Sequence, residues 1–327
     1  MSRNSCLNLL KCIACFGVVF IHVTFPGVLG DIVKYSSTFA VPLFMMIAGY
    51  YSYGCDERKI KQRLVKIIKI LLFGYICFFV CNITIAIKAN SLLQWFSINY
   101  NWKNFILFFC FCTIRWAIPL WYLIAMTETY FFWMIVVKKK WQDAILKITP
   151  VLFIVGTVLA VFVDTMGLNW SYKINFICRA LPWFMYGYIV KERYYIRLKK
   201  VSTFKLLLTA LLGWGITLSA ILLKTKVNYN SVGVLLTAPA LFMIGIKNSN
   251  IKVNNLVEFV GDKLSLFIYI LHPLVSILIM YVVKFLRINW EGAYLYVHPI
   301  ITLIVTIGVS LLFYLVFKNK KIRHLLY

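Results

Sequence analysis

The chain has 327 residues, 62% of them hydrophobic and 14% charged, with a mean hydropathy of +0.84. Soluble domains carry about 45–50% apolar and about 25% charged residues. An apolar excess spread along the whole sequence excludes a globular domain with one anchor and predicts an all-α, polytopic membrane helix bundle. The net charge of +25, from 35 Lys and Arg against 10 Asp and Glu, lies in clusters between apolar runs. That pattern fixes membrane topology and argues against a nucleic-acid partner.

Apolar stretches of spanning length predict about ten transmembrane helices. They fall near 12–30, 38–54, 66–87, 117–137, 147–165, 172–190, 204–223, 231–246, 264–283 and 297–317. The first contains "LLKCIACFGVVFIH". It is interrupted by His22 and closed by no small-residue cleavage site, so it reads as a span rather than a signal peptide. The stretch 102–114, "WKNFILFFCFCTI", is too short to span and is expected to lie along the outer surface or to re-enter. A single transmembrane domain over 1–327 with no fused soluble domain is expected.

Basic runs mark one set of alternate connections: "RKIKQR", "KKK", "KERYYIRLKK", "KNSNIK" and the tail "KNKKIRHLLY". With Arg3 and Lys11 this set gathers about 25 Lys and Arg, against about 9 on the other side, and Lys and Arg collect in the cytoplasm. Both termini are therefore expected to be cytoplasmic. The nine cysteines sit mostly inside apolar runs, and no CxxC pairs with a second, so neither a metal site nor a disulfide framework is predicted.

A titratable side chain inside a span is costly and marks a functional candidate. Lys11 and His22 fall on the first span, Glu128 on the fourth, Arg179 on the sixth and His272 on the ninth. Eleven residues at the helical rise place His22 about 16 Å deeper than Lys11, and eleven steps return to nearly the same face. The two can line one groove, with His22 near the middle of the membrane. The other readings are a helix-to-helix hydrogen bond for a membrane histidine and a structural ion pair between Glu128 and Arg179.

At the start of the third span, "ERKIKQRLVKIIK" repeats Lys59, Arg63, Lys66 and Lys69 at intervals of three and four, so one helix face carries a ladder of cations. Such a face suits a diphosphate, which takes several charge-assisted donors. Plain topology anchoring with attraction to anionic membrane lipid uses the same residues.

These residues resemble the membrane-bound acyltransferase-3 family over nearly the whole chain. Lys11 and His22 keep the spacing of its basic residue and histidine, with Lys for the usual Arg. "VPLFMMIAGYY" (41–51) is similar to the second-span motif, with Ala48 for Ser. "RLVK" (63–66) stands at its R-x-x-R, with Lys66 for the second Arg. "LWYL" (120–123), "RALPWFMYG" (179–187) and "LFIYILHPLV" (266–275) match further motifs in order, and Pro119 stands where a His often precedes LW[FY]L.

The resemblance implies an acyl-CoA donor, most often acetyl-CoA, supplied from the cytoplasm, and no metal. It implies an O-acyltransferase of a bacterial-type cytoplasmic membrane acting on a glycan or other hydroxylated envelope acceptor. Arg63, Lys66, Lys69 and Lys59 would hold the CoA phosphates. His22 would serve as general base or form an acyl-histidine intermediate, Arg179 or a buried hydroxyl would stabilise the oxyanion, and Lys11 would steer the donor or keep the groove hydrated; Glu128 and His272 remain candidates without a role. The aromatic outer connections 91–104 and 287–296 fit a glycan acceptor, and fit better the interfacial belt expected of any membrane protein. A transporter of the same fold and a scaffold that binds neither ligand are the alternatives.

Overall fold

The computed structural model describes residues 4–223, 230–287 and 292–318. Arg3, the basic tail beyond Lys318 and part of the outer connection 287–296 lie outside the described residues. Every regular element is a helix. In chain order they are α1 (Ser5–His22), α2 (Gly27–Ser36), α3 (Ala40–Ser52), α4 (Glu57–Lys88), α5 (Leu92–Asn99), α6 (Trp102–Phe111), α7 (Trp121–Lys138), α8 (Gln142–Lys147) and α9 (Thr149–Thr165). There follow α10 (Leu181–Ile189), α11 (Tyr195–Leu198), α12 (Thr203–Leu222), α13 (Asn230–Lys247), α14 (Asn255–Phe259), α15 (Ser265–Phe285) and α16 (Ala293–Lys318).

Among the described residues, six segments are long and apolar enough to cross a membrane: Ser5–His22, Gly27–Ser52, Glu57–Lys88, Ile118–Lys138, Asn255–Phe285 and Ala293–Lys318. The protein is thus a multi-pass membrane protein. The other four expected spans are helical too. Thr149–Thr165, α12 and α13 are apolar helices, and the segment around 172–190 is broken by π-helical turns at Phe176–Ala180 and Val190–Tyr194. The seventeen residues of α9 rise only about 26 Å, short of a hydrocarbon core of about 30 Å.

The described residues form two compact units. One takes in the chain up to Ile47 and from Val190 onward; the other is Ala48–Ile189. In the first, Asn4 starts α1 by accepting a hydrogen bond from the Leu7 amide at 3.0 Å, which meets one of the orphan donors of the helix start. α1 packs against α15, α2, α13, α14 and α16. Its core pairs Cys15 and Val19 with Leu264 and Ile268, all buried. A π-helical turn at Val260–Leu264 leads into α15, and its Gly261 lets α1 approach: a Cβ there would stand 1.8 Å from the Asn8 carbonyl oxygen. Lipid offers no hydrophobic drive for helix pairing, so close approach through small residues supplies the contact.

In the second unit Asp56 caps α4 by accepting from the Lys59 amide at 2.9 Å. α4 packs on α7. Trp133 of α7 is fully buried against Phe184 and Tyr188 of α10, with ring centroids 5.3 and 5.0 Å away.

Candidate active site

His22 is the last residue of α1, not the middle of a span running 12–30. A helix could not have run on to residue 30, because Pro26 has no N–H for the His22 carbonyl and restricts Phe25 before it. Val23 has already left the helical region, at φ −118° and ψ 85°. The helix starts earlier than expected instead, from the Asn4 cap, which places Lys11 in its second turn.

His22 is exposed, and its ring centroid lies 5.2 Å from that of His272, with the planes tilted by 40°. His272 falls mid-way along Asn255–Phe285 as expected and is 0% exposed. Its Nδ1 stands 3.0 Å from the Ile268 carbonyl oxygen. A carbonyl can only accept, so Nδ1 carries the proton and Nε2 the lone pair. That Nε2 is buried and has no hydrogen-bond partner among the described residues. Lys34 of α2 acts on His22 electrostatically.

Lys11 and His22 do share one unbroken helix. Lys11 is nevertheless engaged at the opposite end: it donates to Asn8 Oδ1 at 3.0 Å, and Asn8 Nδ2 donates to Glu258 Oε1 at 3.4 Å. The structure thus joins His22 to His272, and Lys11 to Asn8 and Glu258.

In the second unit the cation ladder forms as expected on the first turns of α4. Lys59, Arg63, Lys66 and Lys69, with Arg58 and Lys61, line an open depression of about 880 Å³, and no Asp or Glu is among its described lining residues. Arg63 differs from the rest. Its Nη2 donates to the Tyr51 carbonyl at 2.7 Å and its Nη1 to Ser52 Oγ at 2.9 Å. It therefore ties α4 to the end of α3, where a cation also meets the negative end of the helix dipole. A guanidinium has five donors, so donors remain for a ligand.

Glu128 and Arg179 do not form the ion pair the sequence allowed. Glu128 accepts from Cys112 Sγ at 3.2 Å and lines a mostly apolar pocket of about 440 Å³ with Phe109, Phe131, Phe132 and Phe176. Arg179 lies in a π-helical turn, not mid-span, and its electrostatic partner is Asp164, which is itself ion-paired with Lys173. Single-turn π-bulges often mark functional positions because the inserted residue re-aims a side chain.

Sequence reasoning missed Asn8, Glu258, Cys112 and Asp164. Asn8 carried a local signal: it is three residues before Lys11 and hence its neighbour on the helix surface. The others meet their partners through tertiary packing that no spacing encodes.

The model of the acyltransferase domain family matches residues 4–317. The chain belongs to the acyltransferase-3 family. No curated protein and no solved structure matches it. Family membership supports an acyltransferase working in a membrane. The matched stretch takes in Lys11 and His22 on α1, "RLVK" on α4 and His272 on α15.

Proposed function

We propose that the protein is an integral membrane O-acyltransferase. It would move an acyl group, most simply acetyl, from cytoplasmic acyl-CoA to a hydroxyl of an extracytoplasmic glycan or related cell-envelope acceptor, in a bacterial-type cytoplasmic membrane. The observation that carries this reading is His22: an exposed imidazole at a helix end, set against a buried imidazole, in a chain of this family.

The cationic face of α4 suits the CoA phosphates. Lys59, Lys66 and Lys69 contribute point charges and Arg63 its remaining donors. His22 takes the acceptor's hydroxyl proton as the oxygen attacks the thioester carbonyl. The C–O bond forms, the C–S bond breaks, and the proton passes from His22 to the departing thiolate, so the products are an ester and free CoA thiol. A neutral histidine is available for this near neutral pH. Arg179, held in a π-turn, is the candidate for stabilising the carbonyl oxygen as charge develops.

The test is His22→Ala assayed with radiolabelled acetyl-CoA in membranes, alongside mass spectrometry of envelope glycans from cells with and without the gene. Loss of transfer with unchanged expression and monodispersity supports the proposal. Full transfer by the variant overturns it. Absence of CoA binding to the purified wild-type protein would favour a transporter instead.

A further inference from the structure

We infer that His272 is a positioning residue for His22: its buried Nε2 lone pair accepts the N–H on the His22 nitrogen that faces away from the substrate, and so leaves the other nitrogen to take the substrate proton. This rests on the reading of His22 as the general base. A histidine base needs its far nitrogen held, so that the ring presents the correct tautomer and orientation; the common partner is a carboxylate. Here no described carboxylate hydrogen-bonds to His22. The aromatic group beside it is His272, at 5.2 Å between ring centroids, a separation that one hydrogen bond can bridge when the rings turn edge to edge.

The state of His272 is fixed by its surroundings. Ile268 oxygen holds the proton on Nδ1 at 3.0 Å. Nε2 is then an acceptor, and among the described residues nothing donates to it. A buried polar atom without a partner is costly and rare, and burial at 0% exposure leaves no route to bulk water. A His22 that is to take a substrate proton on one nitrogen carries its single N–H on the other, and His272 Nε2 is the acceptor beside that far N–H once the rings turn edge to edge. When His22 becomes cationic the same hydrogen bond becomes charge-assisted. The hydrogen bond therefore strengthens as the transition state forms, which is the condition for accelerating the step rather than merely tightening binding. The proton itself stays on His22 and leaves with the CoA sulfur.

The site makes a distinction between two amide replacements. In His272→Gln the side-chain oxygen reaches about as far as Nε2 and keeps the acceptor. In His272→Asn the amide reaches only the Nδ1 position and can satisfy Ile268 but not His22. Purified full-length variants would be assayed for kcat and for KM of acetyl-CoA, with size-exclusion profiles to check folding. The expected result is a kcat lowered at least about tenfold in His272→Asn, with KM for acetyl-CoA within twofold of wild type and kcat substantially recovered in His272→Gln. In a His22→Ala background the two His272 variants should be indistinguishable. Equal kcat for the Asn and Gln variants, or a difference that persists without His22, overturns the inference while leaving the role of His22 intact. Activity of His22→Ala alone would instead overturn the proposed function.

Discussion

Arg63 of α4 donates to the Tyr51 carbonyl at 2.7 Å and to Ser52 Oγ at 2.9 Å, so the arginine of the cation ladder is also a clamp on the end of α3. A lysine cannot make both bonds with one geometry. Arg63→Lys is expected to lower the melting temperature of the detergent-purified protein, with a stability loss of about 1–3 kcal/mol, the range for hydrogen bonds to a charged group. Ser52→Ala should reproduce part of that loss. An Arg63→Lys protein that melts with the wild type would remove the clamp.

Lys66 lines the same depression as Arg63 and is exposed. Lys66→Glu should leave melting unchanged within about 0.5 kcal/mol, as for exposed sites. It should raise KM for acetyl-CoA severalfold, and the wild-type KM should itself climb with salt, because exposed charges are screened beyond about 10 Å at 0.1 M. Isothermal titration with CoA across a salt series checks both. A salt-independent KM would assign the ladder to topology and lipid contact alone.

Gly261 faces the Asn8 carbonyl so closely that a Cβ would lie 1.8 Å from it. Gly261→Ala must push α1 from the turn that leads into α15, the helix that holds His272. The expected cost is more than about 3 kcal/mol, the range of core overpacking and above. Yield and chromatographic profile after membrane extraction report it. A well-behaved, fully active Gly261→Ala protein would show that this approach is not needed.

The elements that were legible in the sequence are those set by local chemistry. The cation ladder needed only a helix to put Lys59, Arg63, Lys66 and Lys69 on one side, and the helix is there. His22 and Lys11 share α1 because eleven residues bring the face round again. What local pattern could not show is depth and partner. Hydropathy alone ran the first span on to residue 30, since Phe25, Val28 and Leu29 are apolar; the helix ends at His22, and Pro26 bars its continuation. Lys11 reads as a lining cation until Asn8 and Glu258, which is 247 residues further along, are seen to engage that end of the helix. Likewise Arg179 and Glu128 have complementary charges, but helix order gave them Asp164 and Cys112 as neighbours.

Glu128 supplies the last test, because its environment argues against proton transfer. The pocket it lines is built from Leu64, Ile68, Ile135 and four phenylalanines, with Thr127 as the other polar member. None of these can exchange a proton with a carboxylate. Its hydrogen bond comes from the Cys112 thiol, and an amide oxygen accepts such a bond as a carboxylate oxygen does. Glu128→Gln is therefore expected to keep the fold and to retain acyl transfer within about threefold, well short of the loss of about 10²–10⁴ that removal of a general acid or base brings. Glu128→Ala, which leaves the thiol without an acceptor, should reduce thermal stability by about 1 kcal/mol. Comparing kcat and melting temperature of the two variants separates the roles: loss of kcat in Glu128→Gln with normal melting would make Glu128 a participant in the chemistry.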